Sequence, residues 1–197
     1  MIKRKDPQYA VLLVSAADQL NNFVKRVVSG PRFPVFEIRK SATLARRAML
    51  ERHFDIVLVS LPLSDEMGVE FALDAAERHG AAVLLMAPPE IAGDVTDHVI
   101  DRGIITIQKP LSEKDVIRNV RFLAAVQQRL REKNRQVQRL EEKMEEIRIV
   151  NKAKWKLITA EGLSEEEAHA RIGKLAMDRG LTRKMVAEEI IEKYENA

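Results

Sequence analysis

Residues 147–187, IRIVNKAKWKLITAEGLSEEEAHARIGKLAMDRGLTRKMVA, contain the local patterns that divide the C-terminal part of the chain into three helices. Gly162 can adopt the left-handed conformation that ends the first helix. Ser164, with a glutamate three residues later, has the pattern of a capping box and begins the second helix, which Gly180 ends. The third helix begins at Thr182. Apolar residues recur at helical spacing in the last two helices, so this stretch predicts a small three-helix unit.

Six short segments of this region match a known family in order and spacing. They are Ala153-Lys154, Leu157-Ile158, Gly162-Leu163-Ser164-Glu165, Glu167-Ala168, Leu175-Ala176-Met177 and Val186-Ala187. Together they resemble the ANTAR domain of bacterial antitermination regulators, over residues 147–197. The sequence departs from the family at Trp155-Lys156, where small or apolar residues are usual. The resemblance implies a domain that binds paired hairpins in a nascent RNA and prevents a terminator from forming.

The composition is that of a soluble protein, since 46% of the 197 residues are apolar and 32% are charged. No apolar run approaches the roughly 18 residues of a membrane helix, and no apolar segment follows the basic start of the chain. We therefore expect neither a membrane span nor a secretory signal. The chain has no cysteines, which fits a cytoplasmic protein. The four histidines are scattered, and we expect neither a metal nor a cofactor.

The net charge of +3 comes from one segment of the chain. Residues 121–150 carry 8 basic and 5 acidic side chains, whereas the two kinds balance in residues 1–120 and 151–197. Net charge therefore gives little support for nucleic-acid binding, and the case depends on where the basic residues lie.

The N-terminal part alternates short apolar runs with amphipathic segments. Five runs predict strands, at Tyr9–Val14, Val35–Ile38, Ile56–Ser60, Ala82–Ala87 and Ile104–Gln108. Segments between them predict helices, near 18–28, 43–53, 68–79 and 91–101. Such alternation is typical of a parallel sheet with helices on both faces. We therefore expect an α/β, flavodoxin-like domain with a five-stranded parallel sheet over residues 9–122, after an N-terminal tail at 1–8.

This domain resembles the receiver domain of two-component response regulators, but its phosphorylation site is degenerate. A receiver has an acidic pair after strand one, a phospho-accepting aspartate at the end of strand three and a Ser or Thr at the end of strand four. The corresponding residues here are Ser15, Ala16, Ser60 and Met86, and only the receiver lysine is retained, as Lys109. Before Pro110 we expect the cis peptide that is usual at this position.

Aspartyl phosphorylation needs a carboxylate nucleophile and a cation held by oxygen ligands. Since both are missing at these positions, we interpret the domain as a pseudo-receiver that serves as a platform for a protein partner. Asp18 and Asp65, in nearby loops, remain as alternative metal ligands.

A long linker helix is predicted over residues 112–152. It begins at Ser112, and no Pro or Gly follows until Gly162. Apolar residues occupy seven heptad positions, namely Leu123, Val126, Leu130, Val137, Leu140, Met144 and Ile147. Such a stripe predicts a coiled coil with a second copy of the chain, and therefore a homodimer. The alternative is an amphipathic helix that lies on its own receiver.

Basic residues of the ANTAR-like region are the candidates for RNA contact. They are Lys152, Lys154, Arg171, Lys174, Arg179, Arg183 and Lys184, with Thr182 at the start of the third helix. A helix start exposes N–H groups that favour phosphate. Because acidic residues balance them, an ordinary charged surface is the alternative. For Trp155 we expect packing in the helical core or against the coil, with RNA stacking as the alternative.

The sequence as a whole predicts a non-enzymatic, dimeric RNA-binding antitermination regulator. Its layout resembles antiterminators of the amidase-operon type, which a separate protein holds inactive. The resemblance therefore implies control by a protein partner on the pseudo-receiver or on the coil. The alternatives are a DNA-binding response-regulator-type transcription factor and a dimeric protein-interaction scaffold. No nucleophile–base pair, metal cluster or phosphate loop points to an enzyme.

Overall fold

The computed structural model describes residues 7–195, in two compact units that meet in sequence at Arg131 and Glu132. The first six residues of the predicted N-terminal tail lie outside the described residues. Within the described part, no helix is both long and apolar enough to cross a membrane.

The first unit contains a five-stranded sheet. The strands are β1 (Ala10–Val14), β2 (Val35–Arg39), β3 (Ile56–Ser60), β4 (Ala82–Ala87) and β5 (Ile105–Gln108). All neighbouring strands are parallel, in the order β2-β1-β3-β4-β5. This confirms the predicted α/β, receiver-like fold class. The three strands with continuous apolar runs, β1, β3 and β4, lie at the centre of the sheet, where both faces are covered.

The described residues contain seven α-helices. They are α1 (Asp18–Val28), α2 (Ala42–Glu51), α3 (Val69–Glu77), α4 (Pro89–Val99), α5 (Glu113–Glu161), α6 (Glu165–Arg179) and α7 (Arg183–Glu195). A short 3-10 helix, Ile100–Arg102, follows α4. Helix α5 begins where Ser112 Oγ accepts a hydrogen bond from Asp115 N at 3.1 Å. With no Pro or Gly inside it, α5 continues for 49 residues and contributes to both units.

Two hydrophobic cores cover the two faces of the sheet. Successive strand residues point to opposite faces, so β3 contributes Ile56 and Leu58 to one core and Val57 and Val59 to the other. Helices α2, α3 and α4 complete the second core, and α1 with the first part of α5 completes the first. The start of the long helix is therefore an integral part of the receiver fold.

The second unit is a three-helix arrangement of the end of α5, α6 and α7. Each helix supplies three buried residues to its core: Val150, Ala153 and Leu157; Ala168, Ile172 and Ala176; Val186, Ala187 and Ile190. The predicted capping box is present, because Ser164 Oγ accepts from Glu167 N and Glu167 Oε2 accepts from Ser164 N. Gly180 ends α6 at φ +63°, which a residue with a Cβ rarely adopts. Local chemistry thus determines where these helices begin and end.

Candidate functional site

The receiver-type residues come together at the carboxyl edge of the sheet, where parallel strands place their ends side by side. Ser60 is the last residue of β3 and pairs in register with Met86 of β4. Ser15 directly follows β1, and Ala16 comes next and is exposed. Lys109 follows β5, and it lines a cavity of about 400 Å³ together with Ser60. The fold therefore retains the place of a phosphorylation site.

The chemistry of that place is not that of an aspartyl phosphorylation site. Ser15 and Ser60 are buried, and they place hydroxyl groups where a receiver has carboxylates. Lys109 Nζ donates a hydrogen bond to the backbone oxygen of Leu61 at 2.6 Å, and burial lowers the pKa of its ammonium group. The peptide bond between Lys109 and Pro110 is cis, as predicted. The lysine thus has a structural role, since it holds the loop after β3.

Both alternative metal ligands are engaged with other groups in the structure. Asp18 pairs with Lys40 at 3.0 Å. Asp65 accepts hydrogen bonds from the backbone N–H groups of Ala42 and Thr43, each at 2.9 Å, and so caps the start of α2. Between residues 7 and 195 there is no group of three or more histidine or carboxylate side chains that could hold a metal. Sequence reasoning missed this capping role because the two partners are more than twenty residues apart.

The hydrogen bonds from Thr43 and Ala42 lower the pKa of Asp65 from 3.8 to about 2. A carboxylate with a depressed folded-state pKa stabilises the fold above its unfolded-state value, and this contribution disappears as pH falls through the folded-state value. We expect Asp65→Ala to destabilise the first unit at neutral pH, by an amount that shrinks between about pH 4 and pH 2. Urea unfolding over a pH series measures the difference in the free energy of unfolding between wild type and Asp65→Ala.

The control is Glu51→Ala, which removes an exposed carboxylate from the other end of the same helix. We expect the stability difference between wild type and Glu51→Ala to show no comparable change between about pH 4 and pH 2. A difference between wild type and Asp65→Ala that stays constant down to pH 2 would contradict the capping argument.

An apolar stripe runs along the exposed side of α5. Its members are Leu130, Val137, Leu140, Met144 and Ile147, all exposed. Val126 is half-buried. Leu123, predicted as the first coil residue, is instead 2% exposed and belongs to a core of the receiver. That part of the prediction was wrong, because the first turns of α5 pack on the sheet and the free stripe begins about one heptad later.

Trp155 is 70% exposed and is not part of the core of its own unit. The expectation that it packs in that core was therefore wrong. It lies eleven residues after Met144, which is about three helical turns. The tryptophan thus continues the apolar stripe of α5, and its packing against a second chain stays a prediction.

Most of the predicted RNA-contacting residues form ion pairs within their own unit. Lys152 Nζ lies 2.7 Å from Glu195, and Lys154 Nζ lies 2.8 Å from Glu165. The other pairs are Arg171 with Glu161, Arg179 with Glu189 and, at 3.9 Å, Lys184 with Glu188. The bonds from Lys154 and Lys152 also lower the pKa values of the Glu165 and Glu195 carboxyl groups. The pKa of Glu161 is lowered mainly by a hydrogen bond from the Tyr194 hydroxyl group, and further by Arg171. Charge on this surface is therefore largely compensated.

Lys174 and Arg183 differ from the others, since both are exposed and neither forms an ion pair with a residue that the structure describes. Lys174 is two residues from the buried Ile172, on the solvent side of α6. Arg183 is the first residue of α7. Thr182 Oγ1 accepts a hydrogen bond from Met185 N at 3.2 Å, so its side chain caps the helix. The uncompensated positive charge of this unit thus includes Lys174 and Arg183.

The chain therefore has a receiver-like fold in its first unit, followed by an ANTAR domain. Residues 138–191 match the ANTAR domain family. Transcriptional regulatory protein PdtaR of Mycobacterium tuberculosis is 27% identical to this chain over 139 residues, which cover 70% of this chain and 67% of the relative. The predicted recognition of an ANTAR domain behind a receiver-like domain is confirmed.

Several solved structures that resemble this chain are receiver domains. One is the signal receiver domain of an HD domain-containing protein from Pseudomonas fluorescens, with a TM-score of 0.59 and 16% identity, covering 67% of this chain and 98% of that chain. Another is a response regulator receiver domain protein from Methanospirillum hungatei, with a TM-score of 0.56 and 17% identity, covering 62% of this chain and 98% of that chain. At such identities the likeness concerns the fold.

Proposed function

We propose that this protein is an antitermination regulator that binds hairpins in nascent RNA through its ANTAR unit and acts as a dimer. The observation that carries the proposal is the ANTAR match at residues 138–191. Its relative is named a transcriptional regulatory protein, which supports a role in gene regulation. The proposal extends this to hairpin binding that prevents a terminator from forming.

The RNA-binding surface of the proposal has Lys174 and Arg183 at its centre. Both side chains extend into solvent without a carboxylate partner among the described residues. A phosphate therefore need not displace an existing ion pair there. Arg183 also lies at the start of α7, where unpaired backbone N–H groups favour an anion. The paired residues Lys152, Lys154 and Arg171 take part only if RNA replaces their carboxylate partners.

The dimer of the proposal forms along the stripe of α5. Leu140, Met144 and Ile147 are exposed large apolar side chains at coiled-coil spacing. Residues next to the stripe carry both signs of charge, as in the neighbouring Glu141 and Lys143, which suits pairing between two copies of one chain. A dimer presents two ANTAR units, and it can therefore engage two hairpins.

Control in this proposal comes from a protein partner on the pseudo-receiver, and aspartyl phosphorylation plays no part in it. Ser60 occupies the place of the phospho-accepting aspartate, and Lys109 is engaged with the Leu61 carbonyl. At a constant concentration of Mg²⁺, RNA binding should therefore be the same with and without acetyl phosphate.

The test is binding of the full chain to a labelled RNA with two tandem hairpins, compared with a DNA duplex of matched sequence, over a salt series. We expect selective RNA binding, and an affinity at least about tenfold weaker for Lys174→Ala/Arg183→Ala, because each charge-assisted contact contributes roughly 1.5 kcal/mol or more. The salt dependence of this variant should be shallower, by about one unit of slope for each phosphate that the protein no longer neutralises.

The matched control is Lys25→Ala/Arg47→Ala, which removes two exposed positive charges from the first unit. It should bind RNA as the wild type does. Equal, weak and strongly salt-sensitive binding of RNA and DNA would mean that charge alone is responsible. That outcome would favour the scaffold alternative.

A further inference from the structure

The receiver unit contains a cavity that the proposed function does not use. It has a volume of about 460 Å³ and lies between the end of α1, the loop that precedes β2 and the early turns of α5. Ligand pockets of proteins typically enclose about 300–1,000 Å³. The cavity is therefore of a size that admits a small organic molecule.

Apolar side chains form most of this cavity. Val28 and Val120, each 2% exposed, lie at its base. Val27, Phe33 and Ile117 are half-buried and line it further. A small molecule that covers these side chains removes them from water, which favours binding in proportion to the apolar area covered. The cavity thus favours the apolar body of a ligand.

Two arginines, Arg32 and Arg121, complete the lining. Both are exposed, and neither forms an ion pair with any residue between 7 and 195. No aspartate or glutamate in that part of the chain lines the cavity. By contrast, Arg46 and Arg131 of the same unit are paired with carboxylates. No carboxylate of the described residues therefore compensates the positive charge beside the cavity.

We propose that this cavity is a binding site for a small amphipathic anion, with an apolar body and one carboxylate or phosphate group. The apolar body contacts Val28, Phe33 and Val120, and the arginines Arg32 and Arg121 hold the anionic group. A guanidinium group binds either kind of anion through parallel hydrogen bonds. Because Ile117, Val120 and Arg121 belong to α5, the ligand contacts the long helix directly. The site requires no RNA-binding activity.

The experiment follows the methyl resonances of Val28, Ile117 and Val120 by NMR during titration of the full chain with sodium octanoate. We expect saturable shifts at these methyl groups. With octan-1-ol, which has the same chain without the charge, binding should be at least about tenfold weaker, because the charge-assisted hydrogen bonds are absent. Octyl phosphate tested in parallel identifies the headgroup, since the tighter of the two anions is the one that the site prefers.

The decisive variant is Arg32→Gln/Arg121→Gln, in which two exposed side chains are replaced and the core is untouched. It should keep the wild-type spectrum and bind octanoate at least about tenfold more weakly, whereas the control Lys25→Gln/Arg47→Gln should bind normally. The proposal is overturned by the absence of saturable shifts at the three methyl groups, by equal binding of octanol and octanoate, or by equal weakening in the two variants.

Discussion

Replacing Leu140 and Met144 by glutamate should convert the protein into a monomer and lower its affinity for a tandem-hairpin RNA at least about tenfold. Both side chains are exposed on α5, and Met144 is 71% exposed. A coiled coil buries these positions against a second chain, where an unpaired carboxylate costs several kcal/mol. The RNA effect follows because a monomer engages one hairpin at a time and lacks the gain from a linked second contact. Analytical ultracentrifugation and RNA titration measure the two effects.

The control for this variant is Arg135→Gln/Gln138→Glu, which changes the net charge by the same amount. Both control residues are exposed on α5 but lie at heptad positions outside the stripe. The control variant should remain a dimer. If Leu140→Glu/Met144→Glu also remains a dimer, the stripe is not the dimer interface, and the apolar side chains of α5 need another partner.

A large loss of stability is expected when Arg131, the last residue of the first unit, is replaced. Its guanidinium group pairs with Asp55, whose side chain is 4% exposed, and it also donates to the backbone oxygen of Gln8 at 3.1 Å. It lies over the ring of Tyr9, 5.1 Å from the centroid. These contacts attach α5 to the amino edge of the sheet, opposite the degenerate phosphorylation site.

Arg131→Met should destabilise the first unit by roughly 3 kcal/mol, because it leaves a buried carboxylate without its main cationic partner. This value is at the low end for buried pairs, since the Arg131 side chain is 34% exposed. Asp55 keeps a hydrogen bond from Ala10 N at 2.8 Å, and His53 lies 3.4 Å away. Urea unfolding followed by circular dichroism measures the destabilisation.

Two further variants separate the ion pair from general effects of arginine removal. Arg118→Met breaks an exposed pair with Asp115 and should cost no more than about 0.5 kcal/mol. Adding Asp55→Asn to Arg131→Met should recover part of the stability, because the buried charge is then gone. A cost below about 1 kcal/mol for Arg131→Met would show that water replaces the guanidinium group at little expense.

Much of the architecture could be predicted from local patterns. The apolar runs of β1, β3 and β4 identify central strands, because only a strand covered on both faces lacks polar alternation. The capping box at Ser164 and the left-handed Gly180 delimit α6, since these signals act within a few residues. The degeneracy of the receiver site at Ser60 was equally visible. Each of these features depends on neighbours in the chain.

The features that could not be predicted depend on contacts between distant segments. Helical periodicity identified the apolar face of α5 but not what covers it, so Leu123 was assigned to the coil although the sheet covers it. The bond between Lys152 and Glu195 spans 43 residues, and the cap of α2 by Asp65 spans 23. The numbers of acidic and basic residues in the sequence do not reveal which of these residues form ion pairs.

The sequence by itself therefore determined the order of strands and helices along the chain and the capping of α6, because these follow from apolar periodicity and short-range hydrogen bonding. It also determined the chemical character of the degenerate site, which follows from the residues at its positions, such as Ser60. The tertiary structure alone decided which basic residues of the ANTAR unit have no ion-pair partner among the described residues, as at Lys174 and Arg183. It also decided where the stripe of α5 begins and that Arg32 and Arg121 share one cavity. These depend on which parts of the folded chain come within a few ångströms of each other, and this distance is set by packing of the whole unit.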